Sequence, residues 1–73
     1  MDLHAYVRDV ADFPEPGILF RDITPLLKTP AAFRFVIDEL TEESKRAGAE
    51  AVVGIESRGF LFGAPVADRL GAP

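Results

Sequence analysis

Leu3, Tyr6, Val7 and Val10 recur at the i, i+3, i+4 and i+7 spacing of one helical face, which predicts a short helix over residues 2–11. The pattern then breaks. Residues 12–25, "DFPEPGILFRDITP", contain three prolines and a glycine and read as a long ordered loop. Loops of that length inside a compact domain are uncommon and usually functional, and the apolar Phe13, Ile18, Leu19, Phe20 and Ile23 argue against disorder. Thr24-Pro25 and Thr29-Pro30 each pair a capping hydroxyl with a proline suited to the first helical position. The first opens a short turn, and the second a helix over residues 30–47. That helix has Phe33, Val36, Ile37 and Leu40 on one face and Arg34, Asp38, Glu42, Glu43 and Arg46 on the other, with Gly48 as its stop.

Residues 50–55 form an apolar run without alternation, which predicts a strand covered on both faces. A further helix is expected over residues 59–70, with Pro65 removing one backbone bond inside it and Gly71 ending it. A strand covered on both faces needs neighbours to pair its N–H and C=O groups, and no second strong strand pattern is present. Helix–strand–helix is the opening of an α/β fold with a mostly parallel central sheet, incomplete in this chain. The 73 residues are therefore expected to be the N-terminal part of a longer protein.

Composition narrows the chemistry. The absence of cysteine excludes a disulfide framework and fits a reducing, cytoplasmic compartment, and a single histidine, His4, leaves no ligand set for structural zinc. A net charge of −4 without a Lys/Arg cluster points away from nucleic acid. No apolar run approaches the roughly 18 residues of a membrane span, and the N-terminus lacks the basic head and apolar core of a secretory signal.

The chemistry-bearing stretch is "GIESRGF", residues 54–60. Open α/β sheets bind ligands at the carboxyl ends of their strands, where the next helix presents free N–H groups and a partial positive charge. Arg58 at such a junction suits a phosphate or pyrophosphate, Ser57 can add a hydroxyl donor, and Gly59 would allow close backbone approach. Glu56 cannot bind an anion, but it could orient a guanidinium or a metal's water shell. Spacing alone fits a solvated surface turn equally well. In the proline-rich loop, Phe20 beside Arg21 could stack on a flat base, although a ring filling the core is the simpler account. The other phenylalanines are assigned to packing, His4 to the surface, Asp22 to a turn or cap, and residues 42–46 to a solvated helix face.

Two stretches, "DFPEPGILFRDITPLLKTPAAFR" and "VVGIESRGFLFGAPVADRLGA", closely resemble the N-terminal part of adenine phosphoribosyltransferases, without a gap from about Val7 onward. The resemblance implies a phosphoribosyltransferase-type α/β fold and a purine salvage reaction: adenine plus 5-phosphoribosyl 1-diphosphate gives AMP and diphosphate. It implies that Leu19, Phe20 and Arg21 form the adenine site, with Phe20 stacked on the base and main-chain groups of Leu19 and Arg21 reading its edge. It implies that Glu56, Ser57 and Arg58 form the diphosphate loop, residues 56–59, with a cis peptide between Glu56 and Ser57. Mg²⁺ is expected mainly on the substrate's oxygens, and a homodimer is expected for the whole protein. No residue here matches the family's catalytic flap, and its acidic pair with a Thr-Gly-Gly-Thr-type loop is absent, so these residues alone are expected to be inactive. The rival from another class is a non-catalytic, nucleotide-sensing regulator built on the same fold.

Overall fold

The computed structural model describes residues 1–73, which divide into two compact units, Met1–Arg34 and Phe35–Pro73. In the first unit a short 3-10 helix, Leu3–Tyr6, leads into strand β1, Arg8–Ala11. Strand β2, Leu19–Asp22, returns antiparallel to β1 and runs into helix α1, Thr24–Lys28. Helix α2, Pro30–Arg46, begins in this unit. The helix expected over residues 2–11 is thus a single 3-10 turn followed by a strand. The expected loop over residues 12–25 holds a strand and a helix start.

The hairpin explains both corrections. Leu3 and Tyr6 belong to the 3-10 turn, whereas Val10 belongs to a strand in which it faces Phe20. Residues of two different elements thus mimic one helical period. The register pairs Arg8 with Asp22, Asp9 with Arg21, Val10 with Phe20, and Ala11 with Leu19. Opposite charges face each other twice, and an aliphatic side chain faces an aromatic one, the kinds of cross-strand pair that stabilise a ribbon. The turn is held by its own polar groups. Phe13 N–H donates to the Ile18 carbonyl at 3.1 Å, and Gly17 N–H donates to the Asp12 carboxylate at 2.9 Å. Asp12 and Gly17 take φ of 57° and 85°, and the Phe13–Pro14 peptide is cis.

The threonines ahead of the two prolines do not cap in the expected way. The Thr24 hydroxyl donates to Asp22 Oδ1 at 2.6 Å, and the Thr29 hydroxyl donates to the Pro25 carbonyl at 2.8 Å. Asp22 supplies the acceptor at the start of α1 instead, closing a local turn with Thr24 N–H at 2.9 Å. Leu26 and Ala32 are the buried apolar residues of this unit.

In the second unit α2 continues to Arg46, and Gly48, at φ 70°, terminates it as expected. Gly48 N–H donates to the Lys45 carbonyl and Ala49 N–H to the Ser44 carbonyl, which satisfies the last turn. Ile37 is buried, as its spacing predicts, but Leu40 is exposed and Thr41 takes a buried position. The Thr41 hydroxyl is accommodated there by donating to the Ile37 carbonyl at 2.7 Å. Helix α3, Glu56–Leu70, carries Pro65 internally and ends at Gly71 in the left-handed conformation. Val66 is the buried centre of its inner face, and Arg69 pairs with Asp38 of α2.

The run over residues 50–55 is extended but is not a strand. It has one covered face and one open face. Val52 and Gly54 are half-buried, while Val53 and Ile55 are 83% and 77% exposed. A strand requires a ladder, and the one backbone bond in view here is Val52 N–H to the Pro73 carbonyl at 2.9 Å. No helix is long and apolar enough to cross a membrane.

Candidate functional site

Leu19, Phe20 and Arg21 lie together on β2. By the two-residue period of a strand, the Phe20 side chain shares one face of the ribbon with Asp22, and Leu19 shares the other with Arg21. Phe20 is half-buried. Its ring meets Phe13 edge-on, with centroids 5.3 Å apart and planes inclined at 67°. On that face Arg8, Val10, Phe13, Phe20 and Asp22 line an open cavity of about 310 Å³. Its wall is therefore aromatic and aliphatic, with one ion pair at the rim.

Asp22 organises the end of the ribbon. Oδ2 accepts from Arg8 Nη2 at 2.6 Å, while Oδ1 accepts from both the amide and the hydroxyl of Thr24. The Thr24 hydroxyl and amide bonds, with the Arg8 guanidinium, hold the carboxyl below its ordinary value. Sequence reading assigns Asp22 only a turn or capping role. The signal for more was Arg8, fourteen positions earlier, which becomes meaningful only once the strand register is known. On the opposite face Arg21 and Asp9 form a looser pair at 3.8 Å, with both side chains well exposed.

Glu56, Ser57 and Arg58 are the first three residues of α3, not a loop ahead of a helix beginning at Gly59. The Glu56–Ser57 peptide is trans. The sharp change of direction is made by Glu56 itself, whose φ of 64° lies in the left-handed region, after an extended Ile55. For a residue with a Cβ that conformation costs about 1–2 kcal/mol. The N-cap residue of this 15-residue helix, Ile55, has no side chain able to cap it and makes no capping bond.

Gly59 has a different task from the one its sequence position suggests. A Cβ at Gly54 would lie 3.0 Å from the Gly59 carbonyl oxygen, and a Cβ at Gly59 would lie 3.3 Å from the Gly54 carbonyl carbon. The two glycines let the extended segment and α3 touch backbone to backbone, and this contact sets where Glu56–Arg58 emerge. Three sequence-predicted residues thus lie on one strand and three on one helix turn, in separate units.

No protein-family model matches the chain. Individual proteins do. It is 62% identical over 72 residues to the adenine phosphoribosyltransferase of Thermosynechococcus vestitus, covering 99% of this chain and 42% of that protein. To the adenine phosphoribosyltransferase of Streptomyces coelicolor it is 60% identical over 65 residues, covering 89% and 36%. Among solved structures, the Giardia lamblia adenine phosphoribosyltransferase complexed with 9-deazaadenine matches with a TM-score of 0.86 at 46% identity, over 97% of this chain and 39% of that one. The Saccharomyces cerevisiae enzyme, complexed with an imino-altritol bisphosphate and adenine, matches with a TM-score of 0.84 at 36% identity, over 97% and 44%. The chain therefore spans well under half the length of the proteins it matches.

Proposed function

We propose that this chain, a relative of the adenine phosphoribosyltransferases over nearly its whole length, belongs to an enzyme that makes AMP and diphosphate from adenine and 5-phosphoribosyl 1-diphosphate. The observation that carries this reading is the identity of about 60% across 99% of the chain with proteins of that name. The geometry of β2 is in keeping with it. A half-buried ring beside a cavity of about 310 Å³ is a suitable platform for a purine. With Phe20 on one face of the base, the Leu19 carbonyl would accept from the exocyclic amine and the Arg21 N–H would donate to the neighbouring ring nitrogen. A 6-oxo purine would turn both contacts into repulsions, so main-chain atoms would carry the selectivity.

The reaction joins adenine N9 to C1′ of the ribose as the C1′–O bond to diphosphate breaks, and the N9 proton is released. Negative charge grows on the departing diphosphate. The first turn of α3 would meet it with the positive end of the helix dipole and the Arg58 guanidinium, and the Ser57 hydroxyl would add a donor. Glu56 would shape the turn rather than touch the anion.

Mg²⁺ would bind mainly through the diphosphate. No group of three or more histidine, cysteine, aspartate or glutamate side chains stands close enough to hold a metal ion, and Mg²⁺ readily keeps substrate oxygens and waters as ligands. We place the whole enzyme in the cytoplasm, in keeping with the lack of cysteine in these 73 residues, and as a homodimer, for which the exposed Phe60 and Leu61 offer apolar surface. Sedimentation of the full-length protein at half the expected dimer mass would refute the dimer.

The activity test is AMP formation by the full-length protein from the two substrates. Phe20→Ala should raise KM for adenine by about fivefold or more, the loss of a stacking contact worth about 1–3 kcal/mol. No AMP from a folded wild-type protein, or unchanged adenine kinetics in a folded Phe20→Ala variant, would overturn the reading.

A further inference from the structure

We infer that Arg8, acting through Asp22, is a positioning residue for adenine recognition: it holds β2 in the register that presents Phe20 and the main chain of Leu19 and Arg21 to the base. The inference rests on the adenine reading of β2 and adds a residue that no motif singled out. A two-stranded ribbon is marginal in water by itself. A slip of one residue would carry every side chain of β2 to the opposite face, taking Phe20 out of its cavity. Something must therefore pin both ends. At the turn end, Asp12 and Gly17 close the loop at 2.9 Å, and Phe13 N–H reaches the Ile18 carbonyl.

At the open end the last register pair is Arg8 with Asp22. Both carboxylate oxygens are engaged, one by Arg8 at 2.6 Å and the other twice by Thr24. A single side chain thereby joins β1, the end of β2 and the first residue of α1. Asp22 stands on the same face as Phe20, and its side chain is only 15% exposed. The other cross-strand pair, Asp9 with Arg21, is longer, lies on the opposite face and reaches no third element. The two pairs share a ribbon and a charge type, so they separate a specific register lock from general ribbon stability.

The experiment compares the full-length wild type with Arg8→Gln, Arg8→Lys, Asp9→Asn and Phe20→Ala in steady-state kinetics and thermal melts. Arg8→Gln should raise KM for adenine by about five- to tenfold, leaving KM for 5-phosphoribosyl 1-diphosphate and kcat close to wild type. Arg8→Lys should recover part of the loss, because an ammonium keeps the charge without the guanidinium's fork. Asp9→Asn should leave adenine kinetics unchanged. If Arg8→Gln and Arg8→Lys both keep the wild-type KM for adenine while Phe20→Ala raises it, the positioning role is wrong and the adenine site stands. An equal rise in Asp9→Asn would also overturn the role, as an effect of ribbon stability alone. If Phe20→Ala too leaves adenine kinetics unchanged, the adenine reading itself fails. Should Arg8→Gln not fold, Arg8→Lys and Asp9→Asn still decide the question.

Discussion

At the scale of single residues, Asp22 couples the site to pH. Its folded-state pKa lies below the ordinary 3.8, chiefly through the Thr24 hydroxyl and amide, then through Arg8. Its contribution to stability is therefore complete above the unfolded carboxylate pKa and is lost as pH falls through the lower folded value. Asp22→Asn keeps an acceptor for Thr24 but cannot lose a charge. Urea midpoints of the full-length protein should favour wild type over Asp22→Asn at neutral pH, and the gap should close in the acid range. A gap that stays constant down to about pH 2 would show that the carboxylate's charge contributes nothing. Asp22 was legible in the sequence as a turn or capping residue, because aspartate two positions before a Thr-Pro helix start has few other uses. Its bond to Arg8 was not legible, since that depends on the pairing of residues 14 apart.

At the scale of elements, the contact between the extended segment and α3 makes a sharp pair of predictions. A methyl added at Gly54 would meet the Gly59 carbonyl oxygen at 3.0 Å, a backbone atom that cannot swing aside, and the Phe60 ring at 3.2 Å. Gly54→Ala should cost about 1–3 kcal/mol, as overpacking usually does. At Gly63 the nearest atom would be the Gly54 Cα at 3.6 Å, an ordinary contact, and alanine is the better helix former. Gly63→Ala should therefore be neutral or stabilise by up to about 1 kcal/mol. Denaturant unfolding of the full-length variants checks both, and equal effects at the two sites would contradict the described packing. These elements also mark how far sequence reading reaches. α2 is legible because a helix satisfies its own backbone and betrays itself by periodicity, and the end of α3 because Gly71 marks it, whereas its start at Glu56 lies three residues ahead of the expected Gly59. The expected strand over residues 50–55 was found as an extended run, but not as a strand, since a ladder depends on a partner that no local pattern specifies. β1 and β2 were missed because each has four residues, too few to establish alternation beside so many prolines.

At the scale of the whole molecule, its apolar distribution is the deciding property. Leu26, Ala32, Ile37 and Val66 make up the buried apolar set, whereas Val53, Ile55 and Phe60 lie largely in water and Leu61 is exposed over 48% of its surface. Ordering residues costs about 1.5 kcal/mol each, and apolar burial must offset nearly all of it. Residues 1–73 expressed alone should therefore be marginally stable and prone to associate through these side chains. Hydrogen exchange on that chain should show fast amides at Val53 and Ile55, and incubation with both substrates should give no AMP above a protein-free control. Strong protection at Val53 and Ile55 in a monomer would contradict the first expectation, and measurable AMP the second. The family resemblance was legible at this scale because it rests on two long uninterrupted stretches. The division into two compact units was not, because it arises from which contacts the folded chain makes rather than from composition.

The left-handed backbone at Glu56 carries a warning for anyone breeding a hardier version of this protein. Glycine adopts that conformation without the cost borne by glutamate, so a library screened only for survival of heat would tend to collect Glu56→Gly. Such a winner would melt later while loosening the turn from which Ser57 and Arg58 project. If the proposed function holds, heat tolerance and turnover would then part company at one codon, and selection on the full-length protein would have to score both together.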